Sequence, residues 1–165
     1  MAKTLLSIRD LKVYYPVKRG FLSLQKQYVK AVDGVSFDVY EGEAFGIVGE
    51  SGCGKSTTGH TIVGLLQPYS GEIRFEGEVI SDKKRTADQA VKSQIIFQDP
   101  YSSLDPRFTV GNLIAEPLKV NTKLTKAQIT EKVKQLMKDV GLNETQITKY
   151  PHEFSGGQRQ RIGIA

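Results

Sequence analysis

The chain has 165 residues, of which 39% are hydrophobic and 25% are charged, and its net charge is +5. These values are ordinary for a globular domain and exclude wholesale disorder and collagen-like repeats. The single cysteine, Cys53, cannot form an internal disulfide and fits a reducing compartment. Apolar runs fall far short of the roughly 18 residues that span a bilayer, and the first residues lack a signal peptide's apolar core. We therefore expect neither a membrane-spanning segment nor a signal peptide. The positive charge suits an anionic partner or simply solvated lysines.

The first fifty residues are predicted to form mainly strands. Apolar residues predict an opening strand over 6–15, followed by a loop over 16–27 and a second strand over 28–32. Apolar and polar residues then alternate over 35–39, which indicates a half-buried strand. The compact apolar run 44–48 predicts a strand buried on both faces.

The next fifty residues mix helix and strand. A helix is predicted over 55–66 and a strand over 73–75, with a turn near Gly77. The polar stretch 81–92 predicts a loop with a short helix. The stretch 94–98 predicts a short strand that ends on a polar residue.

From residue 100 onwards the pattern is helical. Thr125 is predicted to cap the N-terminus of a helix, and Gln128 follows it at capping-box spacing. Gly141 ends the helix that begins there. Ser155 begins a second helix over 156–165. The apolar stripe of the first helix predicts core positions: Ile129, Val133, Leu136, Met137 and Val140.

The most specific motif is the glycine-rich segment 49–57, which matches the phosphate-loop pattern G-x-x-x-x-G-K-[ST] between a predicted strand and a predicted helix. Glycines allow successive backbone N–H groups to point into one concavity, and the helix N-terminus adds positive potential. Lys55 is expected to contact the β- and γ-phosphates, and Ser56 to bind Mg²⁺. A redox role for Cys53 is the weaker alternative, because phosphates need its backbone. The predicted phosphate-binding residues are Gly49, Ser51, Gly52, Cys53, Gly54, Lys55, Ser56 and Thr57.

Two further segments narrow the family. The stretch 154–161, Phe-Ser-Gly-Gly-Gln-Arg-Gln-Arg, resembles the signature of ABC ATPases, with Phe154 where that family usually has leucine. Gln98 is similar to the family's Q-loop glutamine. The three motifs occur in the family's order and spacing, so the chain is identified as a member of the ABC ATPase family.

The resemblance implies an ATP- and Mg²⁺-dependent site. Gln98 would contact Mg²⁺ and the attacking water, so Gln98 and Lys55 are the expected catalytic residues. An aromatic ring would stack on adenine; Tyr15 is the first candidate, Tyr14 the second, and strand-face packing the alternative for either. The signature would contact the γ-phosphate of a nucleotide held by a partner subunit, and its residues are Ser155, Gly156, Gly157 and Gln158.

The resemblance also implies the fold. We expect an α/β P-loop domain of the ABC type, with an antiparallel β portion and a helical subdomain. Residues 1–98 would form the nucleotide-binding core and residues 99–165 the helical subdomain, incomplete at the C-terminus.

Three segments, 31–37, 98–107 and 150–153, resemble the ATP-binding subunits of bacterial oligopeptide and dipeptide permeases, and the insert 16–30 resembles the F-type member. This implies a peripheral protein at the cytoplasmic face of the membrane that powers peptide import by ATP binding and hydrolysis. The expected partners are transmembrane permease subunits, a second ATP-binding subunit (D-type or a copy of itself) in a head-to-tail dimer and, indirectly, a substrate-binding protein. No nucleic-acid partner is expected.

The family's later motifs have no counterpart in these residues. A strand with an aspartate and a catalytic glutamate, a D-loop and a switch histidine would all follow the signature. We therefore expect a subunit truncated after the signature and inactive on its own. The alternatives are a non-catalytic nucleotide-binding fragment and a soluble ABC protein acting on nucleic acid, which the basic charge permits.

Overall fold

A computed structural model describes residues 3–17, 27–81, 87–99 and 103–165. The chain divides into two compact units, residues 1–95 and residues 96–165. The sequence-based division falls between residues 98 and 99. Parts of the predicted loops over 16–27 and 81–92, and of the permease-like segments, lie outside the described residues.

A four-stranded antiparallel sheet dominates the first unit, in the order β2-β1-β3-β4. Its strands are β1 (Thr4–Val17), β2 (Gln27–Tyr40), β3 (Ser70–Phe75) and β4 (Glu78–Val79). Central β1 buries Ile8 between Phe37 of β2 and Ile73 of β3. The core of this unit consists of Ile8, Leu11, Val13, Val32, Ile73 and Ile80.

The two strands predicted over 28–32 and 35–39 are one continuous strand, β2. The predicted strands left a gap at residues 33–34, where Gly34 has a φ of +83°. The strand is not interrupted there because β1 pairs with both halves of β2. Bulges accommodate the shifts in register between the two strands. The turn at Gly77 between β3 and β4 is confirmed.

The predicted strands over 44–48 and 94–98 are wrong, because both segments lie outside any strand. A strand exists through pairing with a neighbour, and no described segment pairs with either of them. Most of their apolar side chains are exposed instead: Val48 is 91% exposed and Ile96 57%. Phe45 still stacks on Phe37 of β2, with ring centroids 4.8 Å apart.

The described residues of the first unit also form two short helices. Helix α1 (Lys55–Ile62) ends earlier than the predicted 66, because Gly64 turns the chain at a φ of +82° and the Leu65 amide donates to the His60 carbonyl at 2.8 Å. Helix α2 (Ala87–Lys92) is the short helix expected from the polar stretch.

The second unit is helical, as predicted. It contains α3 (Val110–Asn121), α4 (Lys126–Asp139) and α5 (Gly156–Ile164), with 3₁₀ turns at Glu144–Thr148 and Pro151–Glu153. In the described part of the chain, no helix is long and apolar enough to cross a membrane. The core of the second unit includes Val110, Ile114, Ile129, Val133, Met137, Leu142, Phe154 and Ile162.

Local signals fix the predicted start and end of α4. The Thr125 side chain accepts from the Gln128 amide, and the Gln128 side chain accepts from the Thr125 amide at 2.9 Å. Helix α4 ends just before Gly141, which has a φ of +72°. The capping box and the glycine stop of α4 are therefore confirmed.

Candidate nucleotide site

The phosphate loop enters α1 through a glycine that no other residue can replace without strain. Gly54 is the N-cap of α1 and has a φ of +96°. A Cβ atom here would lie 2.3 Å from the carbonyl oxygen of Ala31. Ala31 is the extra residue of a bulge in β2, since Val13 pairs with Val32 and the next residue of β1 pairs with Lys30. The loop therefore packs directly on the bulge.

The start of α1 offers N–H groups to an anion. The first amides of a helix have no acceptor within the helix. Gly54 has no side chain to cap them, and the first turn contains no acidic residue. The amides of Lys55, Ser56 and Thr57 therefore combine with the positive end of the helix dipole, which suits phosphate oxygens.

The Lys55 side chain folds back over the loop. Its Nζ donates to the carbonyls of Gly49 at 2.9 Å and Glu50 at 2.7 Å. The exposed Cys53 has its Sγ 3.7 Å from the same Nζ. The ammonium group thus lies within the concavity of the loop.

A cavity of about 400 Å³ lies beside the loop. Its loop-side wall is Cys53, Gly54 and Lys55, and its other walls come from the bulged part of β2 and the extended segment 45–48. Asp33 and Lys55 both belong to the lining of this cavity.

The two candidate base-stacking tyrosines are in different environments. Tyr14 is half-buried, and its ring stacks on Tyr69 with centroids 4.5 Å apart. Tyr15 follows on the opposite face of β1, and its side chain is 41% exposed. The ring of Tyr14 is thus already stacked on another ring, whereas Tyr15 is the more exposed of the two residues.

Tyr14 also takes part in a polar contact that could not be expected from the sequence. Its hydroxyl donates a hydrogen bond to Oδ1 of Asp33, and Lys30 Nζ donates to Oδ2 at 3.1 Å. The bonds from Tyr14 and Lys30 lower the pKa of Asp33, and the bond to the carboxylate raises the pKa of the Tyr14 phenol.

The predicted signature residues form the N-terminus of α5. Phe154 is buried in the core of the second unit, which explains how it can replace leucine. Ser155 is the N-cap, and Gln158 folds back so that its side chain accepts from the Ser155 amide at 2.9 Å. Gly157 is exposed, so the backbone of this helix start is open on that side.

Sequence reasoning missed the residue that anchors this helix. Arg159 Nε donates to the carbonyl of Pro151 at 2.8 Å, and Nη2 donates to that of His152 at 3.3 Å. The guanidinium thereby ties α5 to the preceding 3₁₀ turn. In the sequence, nothing but the position of Arg159 directly after the signature residues 155–158 points to this role.

The structure does not bring all predicted site residues into one unit. The phosphate loop and Tyr15 belong to the first unit, whereas Gln98 and the signature belong to the second. Gln98 is exposed and lies outside any strand, contrary to the predicted strand end. Among the described residues, no cluster of three or more His, Cys, Asp or Glu side chains could hold a metal ion.

Comparison with known proteins defines the class. Residues 32–165 match the ABC transporter family, so the chain belongs to that family. It is 48% identical over 166 residues to the oligopeptide transport ATP-binding protein AppF of Bacillus subtilis, which covers 99% of this chain and 50% of that protein. It is 46% identical over 167 residues to the dipeptide transport ATP-binding protein DppF of Escherichia coli, which covers 100% of this chain and 50% of that protein. The chain thus spans about half the length of these curated relatives.

Solved structures give the same fold. The dimeric, post-hydrolysis structure of the ATP-binding cassette MJ0796 bound to ADP and Pi superposes with a TM-score of 0.79 at 25% identity, covering 97% of this chain and 67% of that one. A second dimeric structure of that bacterial cassette gives 0.78 at 26% identity, with the same coverage of both chains. The predicted ABC-type α/β fold is confirmed, and these residues form part of such a cassette.

Proposed function

We propose that this chain is the nucleotide-binding part of an ATP-binding subunit that powers oligopeptide or dipeptide import by binding and hydrolysing ATP. The observation that carries the proposal is the phosphate loop. Its glycines, its lysine and an uncapped helix start come together at one concavity.

The triphosphate would lie against the first amides of α1. Lys55 would exchange its two carbonyl acceptors for the β- and γ-phosphate oxygens, which form stronger, charge-assisted hydrogen bonds. The exposed hydroxyl of Ser56 fits a cation bound mainly through phosphates and water, as Mg²⁺ usually is. Mg²⁺ would neutralise charge on the transferring phosphoryl group. Gln98 is proposed to reach Mg²⁺ and the attacking water.

Adenine would stack on Tyr15. Stacking needs an accessible ring face, and the accessibility of Tyr15 supports this choice over Tyr14.

The signature is proposed to act on a nucleotide held by a second ATP-binding subunit. The exposed start of α5 offers backbone amides and the Ser155 hydroxyl to a γ-phosphate. The dimeric structures of the similar cassette MJ0796 support a paired arrangement. In that arrangement Gln158 would leave its capping position to reach a ligand.

The peptide substrate is inferred from relatives. The similar proteins of Bacillus subtilis and Escherichia coli are named as oligopeptide and dipeptide transport ATP-binding proteins. The proposed partners are therefore transmembrane permease subunits, with a substrate-binding protein acting through them. The protein would lie at the cytoplasmic face of the membrane as a peripheral subunit.

A transport assay tests the proposal. In cells that express the full-length protein containing these residues, the Lys55→Ala variant should abolish ATP-dependent uptake of labelled di- and oligopeptides. Lys132→Ala is the matched control, because it removes an exposed lysine of α4. Full uptake by Lys55→Ala would refute the proposal, and normal uptake by the control shows that the loss is specific to the loop.

A further inference from the structure

Strand β1 carries two adjacent tyrosines on opposite faces: Tyr14 is half-buried and stacked on Tyr69, whereas Tyr15 is exposed. Tyr15 faces outward, whereas Tyr14 is fixed by contacts on its own face. We propose that Tyr14 and Asp33 are positioning residues that hold Tyr15 at a set place relative to the phosphate loop, and so determine how much the base adds to nucleotide affinity. This inference rests on the proposed ATP binding.

The polar half of this arrangement consists of three side chains, which we call the Tyr14 clamp: Tyr14, Lys30 and Asp33. The Tyr14 hydroxyl donates to one oxygen of Asp33, and Lys30 donates to the other at 3.1 Å. The Lys30 ammonium also lies 5.4 Å from the centroid of the Tyr14 ring. The carboxylate is therefore held from two sides.

The apolar half fixes the ring. Tyr69 stacks on Tyr14 at an interplanar angle of 29°, and Tyr28 packs edge-on against Tyr69 at 5.4 Å. The Tyr69 amide donates to the carbonyl of Lys12 at 2.7 Å, so the stacking partner is itself bonded to β1. A rotation of β1 at Tyr14 would break these contacts and would move Tyr15 with it.

The clamp also spans the point where β2 meets the phosphate loop. Lys30 and Asp33 flank the bulge at Ala31, whose carbonyl packs against Gly54. Asp33 lines the same cavity as Lys55. The clamp thus connects the strand that carries the base-stacking ring to the loop that binds the phosphates.

The contributions of the base and of the phosphates to nucleotide affinity can be measured separately. MgATP and Mg²⁺-tripolyphosphate are titrated into the full-length protein that contains these residues, and into its Tyr14→Phe variant. Loss of the hydroxyl should weaken MgATP binding by roughly three- to tenfold, the effect of one lost hydrogen bond. Tripolyphosphate affinity should not change, because that ligand has no base. Tyr28→Phe, which keeps a neighbouring ring and removes a hydroxyl outside the clamp, should bind both ligands like the wild type.

Two further variants complete the test. Asp33→Ala removes the acceptor at an exposed position and should reproduce the selective loss of MgATP affinity. Because the clamp acts through Tyr15, the double variant Tyr14→Phe/Tyr15→Ala should bind MgATP no more weakly than Tyr15→Ala alone.

Each other outcome overturns the inference. Unchanged MgATP affinity in Tyr14→Phe removes the positioning role, and an equal loss for both ligands shows a general structural role. Additive losses in the double variant show that Tyr14 does not act through Tyr15. The proposed function fails in a different way: Lys55→Ala would then bind both ligands as tightly as the wild type.

Discussion

At the scale of single residues, Gly54 has the most demanding position in the phosphate loop. Its positive φ costs other residues about 1–2 kcal/mol, and overpacking against the Ala31 carbonyl adds about 1–3 kcal/mol. We therefore expect Gly54→Ala to lower the free energy of unfolding by about 2–5 kcal/mol, measured by urea denaturation.

Gly52 provides the matched control. It has a φ of +83°, but a Cβ atom there would meet nothing within 4 Å. Gly52→Ala should cost only the backbone term of about 1–2 kcal/mol. Equal losses for the two variants would show that the contact with Ala31 contributes nothing.

Asp105 gives a pH-dependent prediction. Hydrogen bonds from the Arg107 side chain, and then from its backbone amide, lower the pKa of Asp105 from 3.8 to about 2. Because the folded-state pKa lies below the ordinary value, the pair stabilises the folded protein above about pH 4, and this contribution is lost as the pH falls towards 2. Carboxyl NMR should show a midpoint near 2 for Asp105 and a return towards 3.8 in Arg107→Gln. The same midpoint in both proteins would contradict the assignment.

At the scale of secondary structure, the capping box of α4 should contribute measurably to stability. Thr125→Ala removes the acceptor for the Gln128 amide and should cost about 1 kcal/mol, as the loss of an N-cap commonly does. Thermal unfolding of the full-length protein checks this loss. Thr125→Ser keeps the hydroxyl and should unfold like the wild type, so a similar loss in both variants would point to the lost methyl group instead.

The elements that could be predicted are those with local signals. Helix α4 has its cap, stripe and stop within its own sequence, and all three are confirmed. The run 44–48 has the composition of a buried strand, but a strand also needs a neighbour that sequence periodicity cannot supply. The continuity of β2 through Gly34 likewise depends on pairing with β1.

The same distinction applies to the candidate site. The loop that leads into α1 could be singled out as a candidate phosphate site because one contiguous segment contains its glycines, lysine and hydroxyl. The contact of Gly54 with Ala31 and the bond of Tyr14 to Asp33 could not be predicted, because each joins residues far apart in the chain. Tyr14 and Tyr15 are indistinguishable by residue type, and what separates them is the stacking and hydrogen bonding of Tyr14 and the greater exposure of Tyr15.

At the scale of the whole molecule, the two compact units divide the proposed work. The first contains the phosphate loop and Tyr15, the proposed base-stacking residue, and the second contains Gln98 and the signature segment. The phosphate loop alone would hold the nucleotide of its own subunit, whereas the signature would serve the site of a partner. Nucleotide binding by the phosphate loop is therefore the claim on which all other proposals depend.

The most direct test of that claim is a titration of the full-length protein that contains these residues, and of its Lys55→Ala variant, with a fluorescent ATP analogue in the presence of Mg²⁺. Loss of charge-assisted hydrogen bonds worth about 1.5–3 kcal/mol should weaken binding by roughly ten- to a hundredfold. Equal affinities for the two proteins would contradict the assignment of residues 49–57 as the phosphate-binding loop.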